Sequence, residues 1–166
     1  MILAFDTFYT EDQARTFCVQ FLNWTDDSPS DVFEETLHDI EEYKAGEFYK
    51  RELPCILSLL KQIDLQTCEG IVIDGFVNLD DEGRYGLGAY LYDALDEKIP
   101  VIGVAKNDFR DIHKTRIEVL RGESRKPLYI TCKGMDLNKA AEHIQNMHGD
   151  FRIPTLLKLV DSLGRS

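Results

Sequence analysis

The sequence predicts an α/β fold, a mixed sheet with helices on both faces. Three observations carry this. The early chain holds runs that alternate as half-buried strands do. Later segments include short, wholly apolar runs of the buried parallel-strand type. Between these lie runs with apolar residues at helical spacing. Hairpin strands followed by strand–helix alternation make a sheet that must be covered by helices to bury it.

The elements follow in chain order. ILAF is a short strand. In ARTFCVQFLNW, residues Phe17, Val19 and Phe21 share one face of a second strand. DDSPS is a turn, with Pro29 among small polar residues. Residues 31–40 form a third strand. From Leu53 to Ile63 the apolar residues Leu53, Ile56, Leu57, Leu60 and Ile63 fall at helical spacing. Pro54 suits the first turn of that helix. IVI and PVIGVA are buried strands, with a helix over residues 84–97 between them. PLYIT is a strand, followed by helices from Leu137 to Met147 and from Pro154 to Leu163. There is no internal repeat and no low-complexity segment, and 166 residues suit one domain with a real core.

Composition narrows the function classes. No apolar run approaches a membrane span, and Met1 leads straight into the first strand, so the expected location is the cytoplasm. The four cysteines, Cys18, Cys55, Cys68 and Cys132, form no CxxC pair, so structural zinc and a disulfide framework are not expected. A net charge of −11 argues against a generic nucleic-acid binder. The charge is uneven, however. Residues 26–42 carry eight acids and no Lys or Arg, whereas residues 110–126 carry six bases against three acids. The plain reading of both is solvated surface; the sharper one is a basic face on an acidic protein.

Three acids stand at the edges of elements: Asp6 after the first strand, Glu52 opening a helix, and Asp74 after IVI. Ligands of such sheets gather at the carboxyl ends of strands. Lys106 follows VIGVA, and Thr131 follows PLYI, so four strand ends present polar groups toward one expected rim. Hard divalent cations need carboxylate oxygens. A cation so held activates water and neutralises phosphate, and a nearby lysine adds fixed positive charge where a transition state is anionic. A single Asp after a strand is more often a cap or turn former. Two Asp, one Glu and one Lys at related positions shift the balance toward a site.

GIVIDG, then GLGAYL, then PVIGVAK resembles the core of endonuclease V. FDTFYTEDQAR resembles the family's first strand, and EYKAGEFYKRELP its Pro-Tyr-x-Pro-Gly segment followed by Arg-Glu. SRKPLYIT resembles its last core strand, and DFRIPTLLKLVDSL its closing helix. The resemblance implies a ribonuclease-H-like fold and a metal-dependent endonuclease of the DNA-repair type. Such an enzyme uses Mg²⁺ or Mn²⁺ and nicks a strand near deaminated adenine, as deoxyinosine in DNA or inosine in RNA. It implies Asp6, Glu52 and Asp74 as metal ligands and Lys106 as their catalytic companion. Tyr43, on the family's strand-separating wedge, joins Arg51, Gly75 and Arg84 as substrate-binding residues. An aromatic wedge fills the gap left by an extruded base.

The chain departs from that pattern in three places. The wedge reads Glu42-Tyr43-Lys44-Ala45-Gly46, without the family's prolines. FVNLDDEGR replaces a small-residue turn and His-Pro-Arg; it presents Asp80, Asp81 and Glu82, and Arg84 matches the arginine only with a one-residue shift. Thr131-Cys132-Lys133-Gly134-Met135 replaces a segment with Pro-Gly-His, leaving an active-site histidine role vacant. Two readings follow. One is an active endonuclease; the other is a catalytically weakened relative that binds nucleic acid or protein.

Overall fold

The computed structural model describes residues 1–38 and 48–165. In chain order the elements are β1 (Ile2–Tyr9), β2 (Gln13–Phe21), β3 (Asp31–His38), α1 (Phe48–Leu60), β4 (Gly70–Asp74) and α2 (Leu87–Ala94). They continue with β5 (Val101–Ala105), β6 (Ile117–Val119), β7 (Leu128–Lys133), α3 (Leu137–Asn146) and α4 (Thr155–Leu163). One seven-stranded sheet runs β3-β2-β1-β4-β5-β7-β6. β1, β4 and β5 are parallel neighbours; β2 and β3 add an antiparallel hairpin on one side. This is the ribonuclease-H-like mixed sheet that the resemblance implies.

Strand alternation divides the core into two layers. Ile2, Ala4, Val19, Phe21, Val72, Ile102 and Val104 face α3 and α4, where they meet Ala140, Ile144, Leu156 and Val160. Leu3, Phe5, Ile71, Ile73 and Val101 face the opposite way, toward Ile56 and Leu59 of α1 and Leu87 and Leu91 of α2. Helices therefore cover both faces. No helix among the described residues is long and apolar enough to cross a membrane.

Three expectations need correction. First, α1 begins at Phe48, so Glu52 is the fifth residue of the helix instead of its opening, and Pro54 lies inside it. The helix tolerates that ring because Pro54 sits on its exposed side, and the apolar stripe of Ile56, Leu59 and Leu60 docks the helix regardless. Second, the helix over 84–97 shrinks to Leu87–Ala94, because Asp96 and Glu97 take positive φ and end it. Third, β7 runs antiparallel to β5, with Thr131 paired to Gly103 and Lys133 to Val101. The carboxyl end of β7 thus points to the opposite edge of the sheet from those of β1, β4 and β5. Thr131 is fully buried in mid-sheet and accepts the Val77 N–H at 2.9 Å. It ties down the turn after Asp74 and is no part of the rim.

Two arginines of the basic stretch are structural, as are two acids of the 76–84 segment. Arg116 is clamped by Asp108 and by Glu118 (3.3 Å). Arg121 is only 4% exposed and donates to the carbonyls of Met147, Gly149, Phe151 and Arg152. Asp80 Oδ1 accepts the Glu82 and Arg84 N–H groups. Asp81 caps the 106–116 loop, accepting the N–H groups of His113, Lys114 and Thr115 at 3.0, 2.8 and 3.2 Å. Those bonds pull its carboxyl down to about 2. A depressed carboxyl stabilises above the ordinary carboxylate range and loses that effect as pH falls through about 2. Amide exchange at residues 113–115 is therefore expected to accelerate on acidification from pH 4 to about pH 2 relative to the core. Asp81→Ala should show the fast exchange at every pH. Unchanged exchange in that variant would refute the clasp.

Candidate active site

The sheet register sets the site. β1 and β4 pair in parallel with Ala4 opposite Val72, and Asp6 and Asp74 stand two residues beyond that pair. Asp74 in turn lies opposite Val104, with Lys106 two residues on. Period-two alternation puts all three side chains on the face covered by α4. They line one cavity with Asp161 in the last turn of α4, and its walls include Ile153, Leu157 and Val160. Gly75 makes the turn possible. Its φ is +120°, a conformation that L side chains rarely adopt, and its N–H donates to the Val104 carbonyl at 3.1 Å.

Charges are unevenly neutralised here. The Lys106 ammonium lies between Asp74 (3.8 Å) and Asp161 (3.7 Å). Asp161 also meets Arg165 at 3.3 Å. Burial pushes Asp161 up, but the Lys106 charge, a hydrogen bond with the Asp6 carboxyl and the Arg165 charge together hold it below the usual range. Asp6, only 9% exposed, is pushed up to about 7. Burial is the main cause, joined by the Asp74 and Asp161 carboxylates and partly offset by the Thr7 N–H. Glu52, at 4% exposure, is pushed up to about 8 by burial and then by Asp6 and Asp74. Thr7 and Arg51 oppose that rise. Asp74, though its side chain is 45% exposed, is also raised, by desolvation on its cavity side against the pull of Lys106. Two buried carboxyls that hold protons near neutrality, beside two more acids, are a site short of positive charge.

The expected site residues divide as follows. Asp6, Asp74 and Lys106 come together. Glu52 is within electrostatic reach of both aspartates, but it approaches from α1 and is not part of the cavity lining. Arg51 stacks its guanidinium 3.6 Å over the Tyr9 ring. Gly75 turns the chain beside Asp74. Arg84 is exposed on the turn before α2, outside the cavity. Tyr43 lies outside the described residues. Among the described residues no three His, Cys, Asp or Glu side chains form a ready-made cation cluster. The donors that could hold a cation are Asp6, Asp74 and Asp161, with Glu52 behind them. An all-oxygen, under-neutralised set fits a hard divalent ion.

Asp161 is the residue that sequence reasoning missed. The signal was present: an acid in the last turn of a helix opposes the macrodipole, and Asp161 lies four residues after Leu157, on the cavity side. The vacant histidine role also changes. Beyond Thr131, β7 runs away from the cavity: Lys133 pairs with Val101 at the start of β5 and is hydrogen-bonded to Tyr85 at 2.8 Å. None of residues 131–135 lines this cavity, whose polar wall includes Asp161. His143 stacks on Trp24 at 4.5 Å, and His148 bonds Thr155 at 2.9 Å. Both are ordinary structural contacts.

No family model and no curated protein sequence matches this chain. Solved structures do. Endonuclease V of Ciona intestinalis, in complex with a 24mer DNA containing an inosine followed by a ribo-adenosine, superposes with a TM-score of 0.78. The likeness covers 99% of this chain and 84% of that one at 15% identity. Endonuclease V of Bacillus subtilis gives 0.70 over 96% of this chain and 76% of that one, at 16% identity. The chain has the endonuclease V fold. That fold extends further, since Marinitoga piezophila Argonaute, in complex with a 5′ OH guide RNA, matches with a TM-score of 0.56 over 29% of its length at 11% identity. In the endonuclease V fold of this chain, the cavity stands at the carboxyl ends of the parallel strands.

Proposed function

We propose that this chain is a Mg²⁺- or Mn²⁺-dependent endonuclease that hydrolyses a phosphodiester bond near deaminated adenine, deoxyinosine in DNA or inosine in RNA. The observation that carries this is the convergence of Asp6, Asp74, Asp161 and Lys106 on one cavity at the strand ends of an endonuclease V fold. The inosine preference rests on the likeness to structures whose proteins bind inosine-containing DNA.

Asp6, Asp74 and Asp161, with Glu52 in support, would hold the divalent cation. When bound, it supplies Lewis-acid stabilisation of charge on the phosphate and lowers the pKa of water. The chain's own groups do the rest. Lys106 supplies fixed positive charge at the mouth of the cavity, aimed at an anionic transition state. Arg165 holds Asp161, and the Thr7 N–H holds one oxygen of Asp6. The apolar wall of Ile153, Leu157 and Val160 keeps bulk water from one side and strengthens these charges.

A nicking assay tests the reading. Labelled DNA and RNA strands with a single inosine are expected to be cut near that base with Mn²⁺, and to stay intact with chelator. Matched strands with adenosine should be cut far more slowly. Failure to cut any of them with either metal would overturn the endonuclease; cutting without base preference would overturn only the inosine assignment.

A further inference from the structure

We propose that Phe151 stacks on an unpaired nucleobase next to the phosphodiester held at the Asp6–Asp74–Lys106 cavity. The proposal rests on the nuclease reading and names how a strand is gripped beside the cut. Phe151 is 79% exposed, the most exposed large apolar side chain among the described residues. Single exposed apolar residues are ordinary, so exposure alone carries nothing. The construction of its loop carries more.

The backbone around Phe151 is fixed from beneath by a buried cation. Arg121 donates to the Phe151 carbonyl at 2.8 Å and to those of Met147 and Gly149 at 2.6 and 3.0 Å. A Cβ at Gly122 would collide with the Asp150 carbonyl, so the two segments touch backbone to backbone. The Thr155 N–H closes the loop onto the His148 carbonyl at 2.8 Å. Burying a guanidinium on carbonyls is a costly way to shape a surface turn. Its result is a rigid pedestal with an aromatic ring in solvent.

The pedestal is joined to the site. Arg152, the next residue, donates to the carbonyl of Lys106 and to those of Lys126 and Pro127 at 3.0 and 2.9 Å. Ile153, one further on, lines the cavity. Two residues of chain span at most about 7 Å, close to the separation between adjacent nucleotides in an extended strand. The Lys106 and Arg152 cations are engaged, by Asp74 and Asp161 and by three carbonyls, so the charge offered to a strand beside this loop comes from the neighbouring Arg125 and Lys126, the latter also bonded to Asn107 at 3.1 Å. Backbone-tracking cations interleaved with an exposed aromatic ring are what single-stranded nucleic acid binds, with stacking that tolerates any base. A protein partner would need a wider apolar patch than one ring.

The test measures binding and cleavage separately. Fluorescence anisotropy with a labelled single-stranded 12-mer compares Asp74→Asn protein with the same protein carrying Phe151→Ala, Phe151→Tyr or Phe151→Trp. Phe151→Ala is expected to raise Kd about tenfold, Phe151→Tyr to restore it within about twofold, and Phe151→Trp to show indole quenching on binding. In the otherwise unaltered protein, Phe151→Ala should raise KM with little change in kcat, and Tm should not move. A Kd for Phe151→Ala within about twofold of its parent overturns the stacking contact while the nuclease reading stands. Absence of both binding and cleavage in the unaltered protein overturns the nuclease reading, and this contact with it.

Discussion

Asp74→Asn is expected to lower the single-turnover cleavage rate by about 10³-fold or more while leaving the fold intact. Removing one preorganised electrostatic partner of a transition state typically costs 10²–10³, and Asp74 would serve twice, as a cation donor and as an anchor for Lys106. Its side chain is 45% exposed at the end of β4, and the substitution conserves shape, so the core has no reason to respond. Asp161→Asn should follow the same direction, because it also frees Lys106 from one of its two carboxylates. Arg165→Ala should have a much smaller effect, since Arg165 is 68% exposed and solvent screens its pairing with Asp161. Rapid-quench measurements with saturating Mn²⁺, beside far-ultraviolet circular dichroism of each variant, would read these values. Cleavage by Asp74→Asn within about tenfold of the parent would remove Asp74 from the site.

The convergence behind these effects is partly legible in the sequence. β4 and β5 are short apolar runs that end at Asp74 and just before Lys106; the apolar start of β1 brings Asp6 level with them although that strand continues to Tyr9, and alternation puts all three on the same face. The direction of β7 is not legible from its own residues, because PLYIT reads identically either way. The clue lies in the connection. Residues 106–127 contain no run at helical spacing, and a parallel crossover needs about a dozen residues, usually a helix. Without one the chain returns antiparallel through β6, which removes Thr131 from the rim. Asp161 stays hidden because one acid in an amphipathic helix looks like solvated surface. Only the packing of α4 across β1 and β2 brings it against Asp6. The basic stretch misleads for a related reason: charge counts do not tell that Arg121 is spent on four carbonyls.

Removing a carboxylate from this site should make the cation-free protein more stable. Asp6 rises from 3.8 to about 7 in the folded chain. A carboxyl raised on folding favours the folded state at low pH, and that contribution is lost as pH rises through the folded value. The unaltered protein in chelator should therefore melt at a lower temperature at pH 8 than at pH 5. Asp6→Asn retains an oxygen for the Thr7 N–H (3.0 Å in the parent) and deletes the charge. It is expected to add on the order of 2 kcal/mol at pH 8, roughly 5 °C in Tm, and to flatten the pH dependence. Glu52→Gln should act in the same direction, because Glu52 is raised by the same burial and the same neighbours. Mn²⁺ should invert the order by raising the Tm of the parent through binding to the folded state, with little effect on Asp6→Asn. Calorimetry at the two pH values, with chelator and with Mn²⁺, gives all the comparisons. A lower Tm for Asp6→Asn at pH 8 in chelator would mean that Asp6 is held by partners that neutralise it. The cavity would then lack the unmet negative charge that argues for a cation there.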